Sequence, residues 1–183
     1  MDNGASSYRR FLDGDESAFD NIIEEYKDSL IFFIERFVQD LSAAEDIAIE
    51  VFSDLLAYKN RYNFKVQLKT YLFMIGRSKA LNYIKHRDKF YMVEYENVES
   101  ELIYKDNIED KILVDELKRV VNDALNKIPE EMQEVIHLIF FEELSYAETA
   151  KIMKKNKKQI DNLLYRAKKE LRTIIGKEGE LLL

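Results

Sequence analysis

The chain has 183 residues and no cysteine, which excludes disulfides and thiolate metal sites and leaves room for one ordinary domain or two small ones. Hydrophobic residues make up 46% and charged residues 34%, and no apolar run reaches the ~18–20 residues that cross a bilayer, so packed cores are expected without membrane insertion. The net charge of −7 opposes nucleic-acid binding, but its distribution reverses that reading: residues 77–89 and 151–177 are basic islands, whereas 13–54 and 94–116 are acidic. The first residues have neither a basic start nor an apolar core, which predicts no secretory signal and a cytoplasmic protein.

Five glycines, one proline and pervasive helical periodicity predict an all-α fold, divided into two small helical domains joined by an acidic linker. Residues 18–40 form the first expected helix, with Phe19, Ile22, Ile23, Tyr26, Leu30, Phe33, Ile34 and Phe37 at its apolar positions and Asp15 as its cap. The sequence SAAE at 42–45 is a capping box that opens a helix to about Tyr58. In that helix Ile47, Val51, Phe52 and Leu55 face inward, while Asp46, Ile49, Glu50 and Ser53 face outward. Residues 60–67 break the period and read as a loop. The next helix, 68–87, begins apolar all round through Leu72, Phe73, Ile75, Ala80, Leu81 and Ile84, as a central helix should, and ends basic. Residues 89–108 are acidic and weakly periodic, a linker; helical spacing resumes over 112–126 through Leu113, Leu117, Val120, Val121 and Leu125. Pro129 suits the first turn of a helix reaching Phe141.

Residues 144–172 read as two helices meeting at a tight basic turn. SYAE at 145–148 is a capping box, and NKKQ at 156–159 repeats that start signal, so the second helix begins near Lys157. Ile160, Leu163, Leu164, Ala167 and Leu171 form one apolar stripe; Lys158, Asn162, Tyr165 and Lys169 lie opposite, with Asp161 and Arg166 on the flanks. Long cationic and amide side chains on such a face suit the major groove. A solvated helix of an all-α domain has the same pattern; a helix-turn-helix is the preferred reading.

The loop at 60–67 offers the ring faces of Tyr62 and Phe64, the amide of Asn63 and the cations Arg61 and Lys65, chemistry that suits single-stranded nucleic acid. Taken alone, rings that pin the loop to the core explain it better. The basic turns at 77–89 shift the balance toward nucleic acid. Enzymatic motifs are absent: there is no glycine-rich phosphate loop, His86 and His137 lack ligand spacing, and no carboxylates pair for acid–base work. No catalytic residue, metal or cofactor is expected.

These residues assemble into a resemblance. AEDIAIEVF at 44–52 and YLFMIGRSKALN at 71–82 resemble the second conserved region of extracytoplasmic-function sigma factors of bacterial RNA polymerase, within the sigma-70 family. IPEE at 128–131, LSYAETA at 144–150 and LYRAKKEL at 164–171 resemble their fourth region. The resemblance implies domains at 1–90 and 111–183 around a linker at 91–110, the second domain holding the helix-turn-helix. It implies core RNA polymerase, double-stranded promoter DNA and the melted single strand as partners, with an anti-sigma factor as a further candidate. Glu45, Asp46, Ile49, Glu50 and Phe52 would meet polymerase. Arg61, Tyr62, Asn63, Phe64 and Lys65 would capture a flipped base of the minus-ten element, with Arg77, Lys79, Asn82, Lys85 and Arg87 along the DNA beside it. Lys154, Lys155, Lys157, Lys158, Asp161, Asn162, Tyr165, Arg166 and Lys169 would serve the minus-thirty-five element.

The chain departs from that family pattern in several places. Ile49 stands where glutamine is usual, Tyr71 for tryptophan, Ser78 for asparagine, and Asp161 where a cation is common. The turn at 153–156 lacks the usual glycine, which is costly at a left-handed position. The alternative reading is a helix-turn-helix regulator that does not act as a sigma factor.

Overall fold

A computed structural model describes residues 4–94, 121 and 123–179, the side chains of 89–94 and 177–179 excepted. Among the described residues the fold is all-helical. The chain divides into two compact units, Met1–Tyr95 with Ala147–Lys155, and Glu96–Tyr146 with Asn156–Leu183.

In the first unit α1 (Ala5–Leu12), α2 (Ser17–Val38), α3 (Leu41–Ala57) and α4 (Leu68–Glu94) enclose one core. The helix α1 was not expected, although Tyr8 and Phe11 stand at its helical spacing and both are buried. Its entry requires Gly4: φ is 72°, and a Cβ there would fall 2.7 Å from the Tyr26 hydroxyl. The predicted apolar positions of α2 are buried at Phe19, Ile22, Tyr26, Leu30, Phe33 and Ile34, and half-buried at Ile23 and Phe37. Glu16 holds the cap position of α2 without a side-chain bond, and Asp15 stands one residue ahead. The Asp15 carboxylate accepts from the Ser17 hydroxyl at 2.6 Å, from Arg10 and from the Ala18 amide of the first turn, which holds its pKa below the usual carboxylate range.

The start of α3 also differs from expectation. Asp40 is the cap, its Oδ1 accepting from the Ala43 amide at 3.1 Å, and Ser42 lies inside the first turn. Within α3 the inward and outward sets are as predicted. Gly76 lets α4 approach α2, since a Cβ there would meet Leu30 Cδ1 at 3.0 Å. Leu72, Phe73 and Ala80 are buried, Ile75 and Ile84 half-buried, but Leu81 is 40% exposed. Helix α4 continues past Arg87 to Glu94, into the stretch read as linker. The remaining linker, and most of the helix expected at 112–126, lie outside the described residues; 123–126 are helical.

In the second unit, α5 (Glu130–Ile136) continues as a π-helical turn, His137–Phe141. Pro129 stands one residue ahead of α5, as its cap, with φ −53°. The wider turn keeps His137 and Leu138 buried while Phe140 and Phe141 emerge. The imidazole of His137 stacks on Phe141 and places Nε2 3.2 Å from Glu142 Oε1, so it is a packed histidine; His86 is exposed. Helix α6 (Tyr146–Ile152) falls with the first unit from Ala147 on, and α7 (Lys157–Gly179) belongs to the second, where α5 packs on it. In α7 Ile160, Leu163, Leu164 and Ala167 are buried and Leu171 half-buried, so the predicted stripe is its core face.

Candidate nucleic-acid interface

The loop at 60–67 leaves α3 and returns into α4, so its ends are fixed by two core helices. Tyr62 is only 2% exposed, and its hydroxyl donates to the Val66 carbonyl at 2.8 Å, closing the loop on itself. Asn63 Oδ1 accepts from the Lys65 amide at 3.1 Å, an Asx turn that carries the chain past Phe64. Phe64 is half-buried with φ 59°, a left-handed conformation that strains a bulky residue. Its ring lies 4.7 Å from Tyr62 and 6.1 Å from Tyr8. Arg61 is exposed and stacks on Tyr58 at 3.8 Å, and Lys65 is exposed. The two rings thus do different work: Tyr62 anchors, and Phe64 is presented.

The basic cluster of α4 is also divided. Lys79 pairs with Glu50 at 2.9 Å and Asp54 at 3.1 Å, and Arg87 donates to the Val38 carbonyl at 2.9 Å. Both cations therefore tie α4 to its neighbours. Arg77 is half-buried. Asn82 and Lys85 are exposed, and with Ser78 they share one face of the helix at offsets of four and three.

On α3, Glu45, Asp46, Ile49 and Glu50 are exposed, Ile49 by 63%. Phe52 is only 6% exposed and lines an apolar groove of about 480 Å³ with Phe19, Ile23, Ile31, Ala48 and Ile49. An outward isoleucine thus stands above an apolar groove with carboxylates beside it, a surface of mixed apolar and acidic character.

The turn after α6 has two backbone bonds of a Schellman motif, Lys155 N–H to Ala150 O at 2.9 Å and Lys154 N–H to Lys151 O at 3.4 Å. Lys154 takes φ 54° there, the position glycine normally fills. The predicted capping box of α7 is complete: Gln159 N–H donates to Asn156 Oδ1 at 2.9 Å, and Asn156 N–H to Gln159 Oε1 at 2.8 Å. Lys157, Lys158, Asp161, Asn162, Tyr165, Arg166 and Lys169 are all exposed, Tyr165 by 70%; Lys154 is exposed and Lys155 half-buried.

Sequence reasoning missed α1. Tyr8 is fully buried and shares its hydroxyl between the carbonyls of Leu55 and Lys59, both at 3.1 Å, while Arg9 lies over Phe64 and Lys59 over Phe11. The available signal was Tyr8 and Phe11 at helical spacing beside two arginines.

Residues 22–90 match the family described as Sigma-70 region 2, and residues 118–171 match Sigma-70, region 4. The chain is 28% identical over 168 residues to the RNA polymerase sigma-H factor of Pseudomonas aeruginosa, covering 86% of each. It is 27% identical over 169 residues to the ECF RNA polymerase sigma factor SigW of Bacillus subtilis, covering 87% of this chain and 89% of that one. The fold is similar to that of sigma factor RpoE in complex with the anti-sigma factor NepR from Bartonella quintana, with TM-score 0.68, 21% identity and coverage of 86% of this chain and 96% of that one. No helix among the described residues is long and apolar enough to cross a membrane.

Proposed function

The chain belongs to the sigma-70 family as an extracytoplasmic-function RNA polymerase sigma factor, and from that premise we propose how its surfaces divide the work. It binds core RNA polymerase, recognises promoter DNA and helps to open it. The proposed division is region 2 over 1–90, a linker over 91–110 and region 4 over 111–183. Glu45, Asp46, Ile49 and Glu50 dock on polymerase, with Phe52 supporting Ile49 from below. Phe64, with Arg61, Asn63 and Lys65 around it and Tyr62 as anchor, receives an unstacked base of the minus-ten strand. Asn82 and Lys85 follow the DNA beside it. In region 4, Lys158 and Asn162 read base edges of the minus-thirty-five element, and Lys154, Lys155, Lys157, Arg166 and Lys169 hold its phosphates.

In this role the protein performs no chemistry of its own and works in the cytoplasm; binding energy at the captured base drives strand opening. An anti-sigma factor is a further proposed partner. The observation that carries this reading is the presence of both matched regions, in order, in one chain. The test is run-off transcription by core polymerase from a related bacterium on templates drawn from a random promoter library. Transcripts that require the added protein are expected. Absence of any, from protein shown to be folded, would favour a regulator that binds DNA without serving polymerase.

A further inference from the structure

The helix α1 lies outside the residues matched to region 2, yet it is built onto the loop that this reading makes the base-capture site. Tyr8 fixes it there through the two carbonyls at the end of α3. One residue on, the exposed Arg9 sets its guanidinium carbon 5.0 Å from the centroid of the Phe64 ring. An aromatic needed only to anchor the loop would be buried in an ordinary conformation, and Tyr62 already is. Phe64 is instead strained and half-exposed, a state the surrounding structure has to impose. Between α1 and the loop is a hollow bordered by Ala5, Ser6 and Arg9 on one side and by Phe64 and Gln67 on the other, with Glu148 and Lys151 of α6 also on its wall. Small residues leave it room, the ring supplies a π-face, Gln67 an amide and Arg9 a planar cation.

Resting on the sigma-factor reading above, we infer that α1 is the second wall of the base-capture site, with Arg9 contacting the phosphate of the unpaired nucleotide lodged against Phe64. An exposed cation–π contact is weak enough to be exchanged for charge-assisted bonds to a phosphate, and the guanidinium fork matches two phosphate oxygens. Tyr8 is the positioning residue: it does not reach the hollow, but it sets where Arg9 stands.

The test uses the full chain bound to core polymerase. Random single-stranded DNA of about 12 nucleotides, a span within reach of one such site, is enriched on the wild-type holoenzyme. The enriched strand, and versions with one abasic nucleotide at each position, are then titrated against wild type, Arg9→Ala and Arg9→Lys by fluorescence anisotropy. Melting curves and core affinity are measured for each variant. Arg9→Ala is expected to weaken the intact strand about five- to tenfold, with Arg9→Lys intermediate because an ammonium keeps the charge but not the fork. On the strand abasic at the captured position, the Arg9→Ala effect should shrink to less than about twofold, because the nucleotide is no longer lodged. Unchanged affinity in Arg9→Ala, or an equal loss on every abasic strand, overturns the inference while the sigma reading stands. If the wild type binds no core polymerase or enriches no strand, the sigma reading fails and the inference falls with it.

Discussion

Lys79 on α4 and Glu50 on α3 form an ion pair, Nζ to Oε2 at 2.9 Å, and Asp54 one turn further along α3 takes the same ammonium at 3.1 Å. The pair joins the helix proposed to follow promoter DNA to the helix proposed to meet polymerase. Partial burial works against the charge on Lys79, but the hydrogen bonds it donates to both carboxylates outweigh it and raise its pKa. Lys79 is thus a strut of the scaffold, and among the described side chains of α4 the exposed lysine is Lys85.

Glu50→Arg should therefore do two things. It should reduce affinity for core polymerase at least about tenfold, as loss of a docking charge does. It should also place a second cation beside Lys79 and lower stability by about 0.5–1 kcal/mol, a small effect because Glu50 is well exposed. Glu50→Gln, with Asp54 still holding Lys79, should stay within about 0.5 kcal/mol of wild type. Interferometry with core polymerase and thermal melts separate the two effects; undiminished core binding by Glu50→Arg would move the docking face elsewhere.

Tyr8→Phe should cost about 1 kcal/mol, the usual loss for a satisfied buried hydroxyl, and loosen the loop at 60–67. Burial, with Tyr71 and Tyr62 adding to it, pushes the Tyr8 pKa from 10.0 up to about 12. Between those values the folded protein holds a proton that the unfolded chain has lost. Stability from this group is complete below pH 10.0 and is lost as pH rises through about 12. Denaturation measured across that window should show a shallower alkaline decline in Tyr8→Phe; an identical slope would exclude Tyr8 as its source.

Asp40→Ala should cost about 1 kcal/mol by removing the acceptor for the Ala43 amide, whereas Ser42→Ala should change stability by less than about 0.5 kcal/mol. Urea midpoints decide it. Equal effects would mean that the serine shares the capping.

Lys154→Gly should stabilise the protein by about 1 kcal/mol, since glycine adopts φ near 54° without strain. The same change should weaken DNA binding on all sequences alike, and the slope of log affinity against log salt should fall by about 0.9. A loss confined to particular sequences would make Lys154 a base-reading residue.

Asn162→Ala should relax selection at one position of the minus-thirty-five element, by about 1–3 kcal/mol, while Lys169→Ala should weaken every sequence together. Promoter selection from a random library reads both. An unchanged set of selected promoters with Asn162→Ala would remove Asn162 from base reading.

The capping box at 156–159 and the apolar stripe of α7 were legible because each depends on residues three or four apart in one helix. The outward set on α3 was legible for the same reason. The cap of α3 was misplaced because SAAE and the true cap, Asp40, offer the same signal two residues apart, and only the backbone at Asp40, with φ −150°, selects between them. The basic run at 77–89 announced charge but not its use: whether Lys79 meets DNA or Glu50 depends on a helix 29 residues away.

What the sequence determined by itself was the number and type of helices over most of the chain, the two matched regions and the exposed face of α7, all written in local period and motif. Tertiary structure decided which aromatic of the loop is anchor and which is presented, and it brought an unforeseen helix to that loop. The bond from Tyr8 to Leu55 spans 47 residues, and the strained backbone of Phe64 is held by rings from α1 and from its own loop. No spacing along the chain encodes such contacts, because they exist only once distant helices share a core.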